Sequence, residues 1–391
     1  MVELLTERAA PAGEVVAHAD DGRVVFVRHA LPGERVRVSV TEQNRRFLRG
    51  EVLEVLEPAA DRVRAPCPHA RPGGCGGCDL QHVAPAAQRV WKADVARDQL
   101  RRIGGVEGPL LDELVVEQLP DVAGAPGPGL GWRTRVQWAV SPSGRTGLHR
   151  HRSHDIEVLE ACPLAHQLVE AAGVLGSRRA GPGRVEVVTS PATGEVLISP
   201  GPRAALTYVA AGREFRVSGG GFWQVHPLAA DVLADAVLAA LAPLPSEQAL
   251  DLYAGAGLFA AVLAAAGASV LAVEGSPLAA DDARHNLAGL DADVVTGDVA
   301  LALAGGDEQV DGLPETADLV VLDPPRAGAG PEVMRAVAER GPRAVAYVSC
   351  DAATLGRDLA AAREVGLQLT GLRAFDMFPM TAHLELLAVL G

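Results

Sequence analysis

From Phe222 to the C-terminus the sequence alternates short apolar runs with helical stretches, a pattern that few architectures can absorb. Strands are expected at Ala249–Tyr253, Ser269–Val273, Asp293–Thr296, Asp318–Leu322 and Arg343–Val348. Helices are expected near Leu258–Ala266, Pro277–Leu287, Glu332–Arg340 and Ala353–Val365. Strand-then-helix repetition of this kind builds a doubly wound, Rossmann-like α/β sheet of parallel strands. The last two apolar runs, Gln368–Ala374 and His383–Leu390, leave room only for a hairpin-like connection, so the sheet should end on an antiparallel edge.

The remaining chain reads differently. With 391 residues, two to three domains are expected at roughly 150 residues each. Runs at Gly13–His18, Gly22–Arg28, Arg35–Val40 and Gly50–Val55, separated by turn residues, predict a small β-barrel over residues 1–62. A segment rich in Pro, Gly and Cys follows, then a helix at about 83–103, a Pro/Gly linker at 119–131, and strands at Arg133–Ala139 and Arg184–Ile198. Residues 63–217 are therefore expected to form a cysteine-containing middle domain and 218–391 the α/β domain. The net charge of −14 excludes a purely electrostatic coat for nucleic acid. Two stretches run against it. Arg23–Gly50 holds seven arginines against Glu34 and Glu42, and Arg145–Asp155 holds three arginines and three histidines against Asp155 alone. Such asymmetry points to nucleic-acid-facing patches, although Lys92 is the only lysine and arginine-rich usage makes solvated barrel edges the competing reading. No apolar run of about 18 residues predicts a membrane span, and the N-terminus lacks a signal-peptide layout, so a cytoplasmic protein without a membrane or an obligate protein partner is expected.

Three turns carry chemistry. The first βα turn, Asp251-Leu-Tyr253-Ala-Gly255-Ala-Gly257, has glycines that let the backbone approach a ligand, and Glu274 at the next strand end is placed to accept ribose hydroxyls. The missing third glycine and the absence of a Gly-Lys-Ser/Thr sequence argue against NAD and ATP, leaving an adenosyl ligand without pyrophosphate, S-adenosylmethionine. Strand four ends in Asp323-Pro-Pro-Arg326, a carboxylate at the ligand crevice followed by rigid backbone. Strand five ends in Ser349-Cys350-Asp351 at the start of a helix, where the dipole should favour a thiolate, a nucleophile's position, with inert core thiol as the alternative. Near the C-terminus, Glu385 or His383 is a candidate base beside Cys350 if the hairpin edge closes over that crevice.

Together with Phe222-Trp-Gln224-Val225, Arg357-Asp358-Leu359 and Thr381-x-His383-x-Glu385, these motifs resemble those of the S-adenosylmethionine-dependent RNA 5-methyluridine methyltransferases, in family order over most of the chain. The N-terminal segment, especially Gly22–Val38, resembles the RNA-binding TRAM barrel that precedes many of them. The resemblance implies a class I methyltransferase acting on uridine in ribosomal or transfer RNA, with Gln224, Tyr253, Glu274 and Asp323 contacting S-adenosylmethionine, Cys350 as nucleophile and Glu385 as general base. Gly255 and Gly257 join the cofactor set through their turn, and Arg326 is our candidate for stabilising an enolate oxygen.

Cys67, Cys75, Cys78 and Cys162 remain once Cys350 is assigned, enough for a four-thiolate site. Several members of the resembled family hold a [4Fe-4S] cluster on such a set with a Cys-x5-Cys-x2-Cys start; here the first spacing is longer by two, so zinc and free thiols stay open. Asp351-Ala352 and His226 also depart from the family's usual Asn-Pro and Asn. Other readings are a radical methylthiotransferase, whose Cys-x3-Cys-x2-Cys triad is absent, a non-catalytic RNA chaperone, and a methyltransferase with another acceptor.

Overall fold

A computed structural model describes residues 1–199, 204–305 and 313–391. Five strands, β1 (Val2–Ala10), β2 (Glu14–His18), β3 (Val24–Arg28), β4 (Arg35–Gln43) and β5 (Phe47–Glu57), close into a barrel in the order β1-β2-β3-β5-β4. The sequence pattern predicted the last four; β1 escaped it because its acidic and basic residues break the apolar run. Alternation explains the barrel's interior, where Leu4, Val15, Ala17, Val25, Val27, Val36, Val38 and Leu48 are buried. Beneath it Glu34 is fully buried, accepting from the N–H groups of Leu31 (2.8 Å) and Ala59 (3.1 Å) and from Arg62 Nε (2.5 Å) and Nη2 (2.6 Å).

The chain continues through α1 (Pro85–Gly104), α2 (Pro109–Asp112), β6 (Val116–Gln118), β7 (Arg135–Val140), β8 (Thr146–His149), β9 (Ile156–Val158), α3 (Gln167–Ala171), β10 (Gly183–Ser190), β11 (Glu195–Ile198), β12 (Ala205–Ala210), β13 (Arg213–Ser218) and α4 (Ala229–Leu241). Where one strand was expected over 184–198, a turn at 191–194 divides it in two. Then come β14 (Gln248–Leu252), α5 (Leu258–Ala265), β15 (Ser269–Glu274), α6 (Pro277–Asn286), β16 (Ala292–Thr296), α7 (Val299–Leu303), β17 (Leu319–Leu322), α8 (Pro331–Glu339), β18 (Ala344–Ser349), α9 (Ala352–Glu364), β19 (Leu369–Asp376) and β20 (Glu385–Leu390).

These elements pack as two compact units. One comprises Met1–Val95, Asp121–Val187 and Phe378–His383; the other Ala96–Pro120, Val188–Met377 and Leu384–Gly391. Residues 96–120, 188–199 and 204–217 thus go with the α/β sheet. In the first unit the barrel is joined by β10, β7, β8 and β9, neighbours in that order. Segment 378–383 is fastened there by Gln88, whose Oε1 accepts from Met380 N–H (2.8 Å), and by the buried Lys92, whose Nζ donates to the Phe378 carbonyl (3.0 Å).

The second unit is built on one sheet in the order β16-β15-β14-β17-β18-β20-β19-β6. Strands β14 to β18 are parallel, β20 runs antiparallel to β18 and β19, as the short last connection required, and β6 adds a parallel strand that its three residues did not announce. Buried Ala, Val and Leu on both faces, such as Leu319–Leu322 and Val345–Val348, are what a sheet covered by helices demands. Because the order runs outward on both sides of β14, the crevice lies at the carboxyl ends of β14 and β17. Among the described residues no helix is long and apolar enough to cross a membrane.

Candidate active site

The chain leaves β14 through a turn that two backbone features force. Tyr253 adopts a left-handed φ of 66°, and Gly257, at φ 86°, starts α5 where an added Cβ would meet Leu287 at 3.3 Å and Ala283 at 3.4 Å. Asp251 is completely buried; its Oδ2 accepts from the Ala260 N–H in the first turn of α5 (2.8 Å), while Oδ1 has no partner. Burial, with Asp323 and Glu274 adding negative charge, pushes its carboxyl up to about 7. Glu274 accepts from Gly255 N–H (2.8 Å) on one oxygen and Ser276 N–H (2.7 Å) on the other. Besides the ribose role expected from the sequence, this carboxylate braces the glycine turn. Burial holds the Tyr253 phenol up at about 12, with Asp298 and Asp358 reinforcing it. Gln224 lies half-buried in the connection from β13 to α4. Two residues on, His226 Nδ1 accepts from Leu228 N–H (3.2 Å), so the departure at that position makes a turn.

Asp323 and Arg326 occupy the loop after β17. Its far end is clamped by Asp358 of α9, which accepts from the N–H groups of Ala329 (2.8 Å) and Gly330 (3.2 Å) and from the Tyr347 hydroxyl (2.5 Å). Gly328 is required there: at φ 86°, an added Cβ would fall 2.5 Å from Asp358 Oδ2. Burial raises the Asp323 carboxyl to about 7.

Cys350 follows β18, where Ser349 pairs with Leu386 of antiparallel β20. The next pair along that register sets Cys350 opposite Glu385, at the mouth of the sheet. Glu385 is only 5% exposed, and burial holds its carboxyl well above the usual range, Asp323 adding to the effect and Arg326 opposing it. The thiolate expected from the helix dipole meets opposing neighbours. Burial, then Glu385, push the Cys350 thiol up to about 11, against the pull of Arg326. The donors at the start of α9 are already taken, because Asp351 Oδ1 accepts from Ala353 (3.0 Å) and Thr354 (2.8 Å) N–H. His383 belongs to the first unit, its ring 6.1 Å from that of Phe378.

A model of the TRAM domain matches residues 2–53, and one of tRNA (uracil-5-)-methyltransferases matches residues 309–390. An uncharacterized RNA methyltransferase of Streptomyces coelicolor is 42% identical over 97% of this chain and 90% of its own length. The 23S rRNA (uracil(1939)-C(5))-methyltransferase of Alkalilimnicola ehrlichii is 33% identical over 96% of this chain and 93% of its own. The chain belongs to the RNA uracil-C5 methyltransferases. The fold of this methyltransferase is shared with the tRNA (uracil-54, C5)-methyltransferase of Pyrococcus abyssi, solved with S-adenosyl-L-homocysteine, at a TM-score of 0.71 and 20% identity, covering 100% of both chains. For a uracil-C5 methyltransferase the functional residues that sequence reasoning missed are supporting ones: Asp358 and Tyr347. Asp358 stood in a quoted motif, but only its contacts give it a task.

The four remaining cysteines of this methyltransferase line a single small cavity of about 10 Å³ in the first unit, together with Arg133 and Gln81. Gly77 N–H donates to Cys75 Sγ (3.4 Å) and Gln81 Nε2 to Cys78 Sγ (3.1 Å). Burial raises the thiols of Cys75, to about 11, and of Cys78 and Cys162. Among the described residues no group of three or more His, Cys, Asp or Glu is arranged to hold a metal ion.

Proposed function

We propose that this enzyme methylates C5 of a uridine in structured RNA through a covalent Cys350 adduct. The observation that carries the reading is the placing of Cys350 after β18 and Glu385 at the start of neighbouring β20, with Asp323 and Arg326 in the loop after β17, at one mouth of the sheet. Uracil C5 is a weak nucleophile. Addition of Cys350 Sγ to C6, with loss of the thiol proton to solvent, makes C5 the carbanionic end of an enolate. Arg326 faces the charge that develops on the enolate oxygen. S-adenosylmethionine, when bound, supplies the electrophilic methyl group. Once C5 carries that methyl, the Glu385 carboxylate takes the C5 proton and the C6–S bond breaks, returning the thiolate. A carboxylate whose proton affinity is raised by burial is a stronger base for that step. The Glu274 and Asp323 carboxyls at the strand ends offer oxygen acceptors to a cationic methyl donor and its ribose; we assign Gln224, Tyr253, Gly255, Gly257, Glu274 and Asp323 to its binding.

The acceptor is a uridine of ribosomal or transfer RNA: a 23S rRNA enzyme is 33% identical, and the family model matched at residues 309–390 is named for transfer RNA. The test is nucleoside mass spectrometry on separated, unmodified ribosomal and transfer RNA after incubation with enzyme and S-adenosylmethionine, with Cys350→Ala as control. New 5-methyluridine that the variant cannot make supports the reading; two unmethylated pools overturn it.

We further propose Cys67, Cys75, Cys78 and Cys162 as ligands of a [4Fe-4S] cluster, a structural and electron-holding group. The fit rests on donor chemistry: four thiols lining one cavity, with N–H donors on two sulfurs and the Arg133 guanidinium, which counters the raised thiol pKa values. A cluster takes each thiolate on a separate iron, so the sulfurs need not converge on one ion as zinc demands. Iron and acid-labile sulfide in anaerobically purified protein, lost in Cys78→Ser, is the expected result; zinc alone overturns it.

A further inference from the structure

The two basic stretches, far apart in sequence, meet in the first unit around one cavity of about 480 Å³, lined among others by Arg28, Arg49, Arg150, His151 and Arg152. Most of its charge is already matched. Arg49 Nη1 lies 2.5 Å from both Glu14 oxygens and the guanidinium sits over the Phe26 and Phe47 rings, at 5.2 and 5.3 Å. Arg150 is held by Glu157 at 3.0 Å, Glu42 lies 3.5 Å from Arg49 and 3.8 Å from Arg152, and Glu51 accepts from Gly73 N–H (2.8 Å). Arg28 is matched too, but on one of its nitrogens only. It is 3% exposed, its Nη2 reaches Asp79 at 3.3 Å, and its Nη1 is buried with no partner. His151 Nε2, on the same lining, is also buried without a partner.

A buried guanidinium N–H with no acceptor is costly unless a ligand completes it, and the chemistry that completes a fixed fork of donors is an anionic oxygen pair. Glu14 and Glu51 accept hydrogen bonds and Glu42 lies near Arg49 and Arg152, so among the lining residues the buried nitrogens without a partner are those of Arg28 and His151. The volume exceeds that of a bare phosphate and admits one with its ribose. We propose that this cavity seats a backbone phosphate of the RNA substrate, with Arg28 as the buried anchor and His151 and Arg152 closing on the same group. The proposal rests on the RNA reading above and adds to it a defined point of grip outside the catalytic unit.

Binding of unmodified ribosomal and transfer RNA transcripts by the full-length enzyme is measured over a salt series for wild type, Arg28→Gln and Arg152→Gln. Arg152 is half-exposed, so its replacement keeps the test open if the Arg28 variant does not fold. Each variant should bind the RNA that wild type methylates about tenfold more weakly at low salt and lower the log–log salt slope by about one, with S-adenosylmethionine affinity unchanged. Unchanged affinity and slope in both variants, while wild type still methylates that RNA, overturn the phosphate site and leave the methyltransferase reading standing. A wild type that methylates neither pool overturns both. If uridine monophosphate or inorganic phosphate binds through Arg28 but the RNA slope does not move, the cavity serves a free anion and the backbone assignment falls.

Discussion

At the residue scale, the chemistry turns on how burial sets proton affinities. The Cys350 thiol, raised to about 11, is neutral in the free enzyme at neutral pH. Its alkylation by iodoacetamide, followed by peptide mapping, should therefore accelerate about tenfold per pH unit from pH 7 to 9, since only the thiolate reacts. A plateau beginning near pH 7 would mean that the thiol is not raised. Replacing Arg326 by Gln removes the one neighbour that favours the thiolate, so alkylation at pH 8 should slow further. Glu385→Gln should still form the C6 adduct yet fail to remove the C5 proton. A slowly decaying, S-adenosylmethionine-dependent protein–RNA adduct on denaturing gels is expected, with turnover reduced by about 10²- to 10⁴-fold. The identity of Cys350 as a candidate nucleophile was legible from its place at a strand end; its protonation was not, because that depends on Glu385, thirty-five residues on, and on Asp351 using the helix donors.

At the scale of elements, the loop after β17 is held by α9 rather than by its own prolines alone. Gly328→Ala places a methyl group against Asp358 in a left-handed backbone, which should destabilise by about 1–3 kcal/mol and lower kcat more than it raises the S-adenosylmethionine KM. Thermal denaturation beside steady-state kinetics checks both. The turn after β14 gives a pH prediction. Asp251 and Asp323 titrate near 7 when folded, against about 4 unfolded, so the folded state retains their protons longer. Stability from these carboxyls is full below about pH 4 and is lost as pH rises to about 7. Asp251→Asn should flatten the fall in melting temperature between pH 4.5 and 8; a profile parallel to wild type would refute the raised carboxyl. The strand–turn–helix signature announced both turns, whereas the Asp358 clamp joins residues nearly thirty apart and has no local signal.

At the scale of the whole molecule, Glu34 shows the opposite sign. Burial alone would raise its carboxyl, but Arg62 and the Leu31 and Ala59 N–H groups hold it below the usual range. Its contribution is present above about pH 4 and lost as acid protonates it. Glu34→Ala leaves Arg62 without its carboxylate and should destabilise the unit by about 3–5 kcal/mol, read from urea unfolding followed by tryptophan fluorescence, to which Trp91 of the barrel's core contributes. A loss under about 1 kcal/mol would show that water replaces the carboxylate.

The sequence by itself determined the α/β sheet, its antiparallel edge, most of the barrel and the catalytic candidates, because periodicity and turn chemistry are local and each strand end displays its own side chain. Tertiary structure alone decided which distant groups share a site. It set Glu385 opposite Cys350 through the register of β18 and β20, assigned residues 96–120 to the sheet unit, and brought two basic stretches around Arg28. Those outcomes rest on strand pairing and burial between segments remote in the chain, where the energy of a contact depends on what surrounds it and not on its neighbours in sequence.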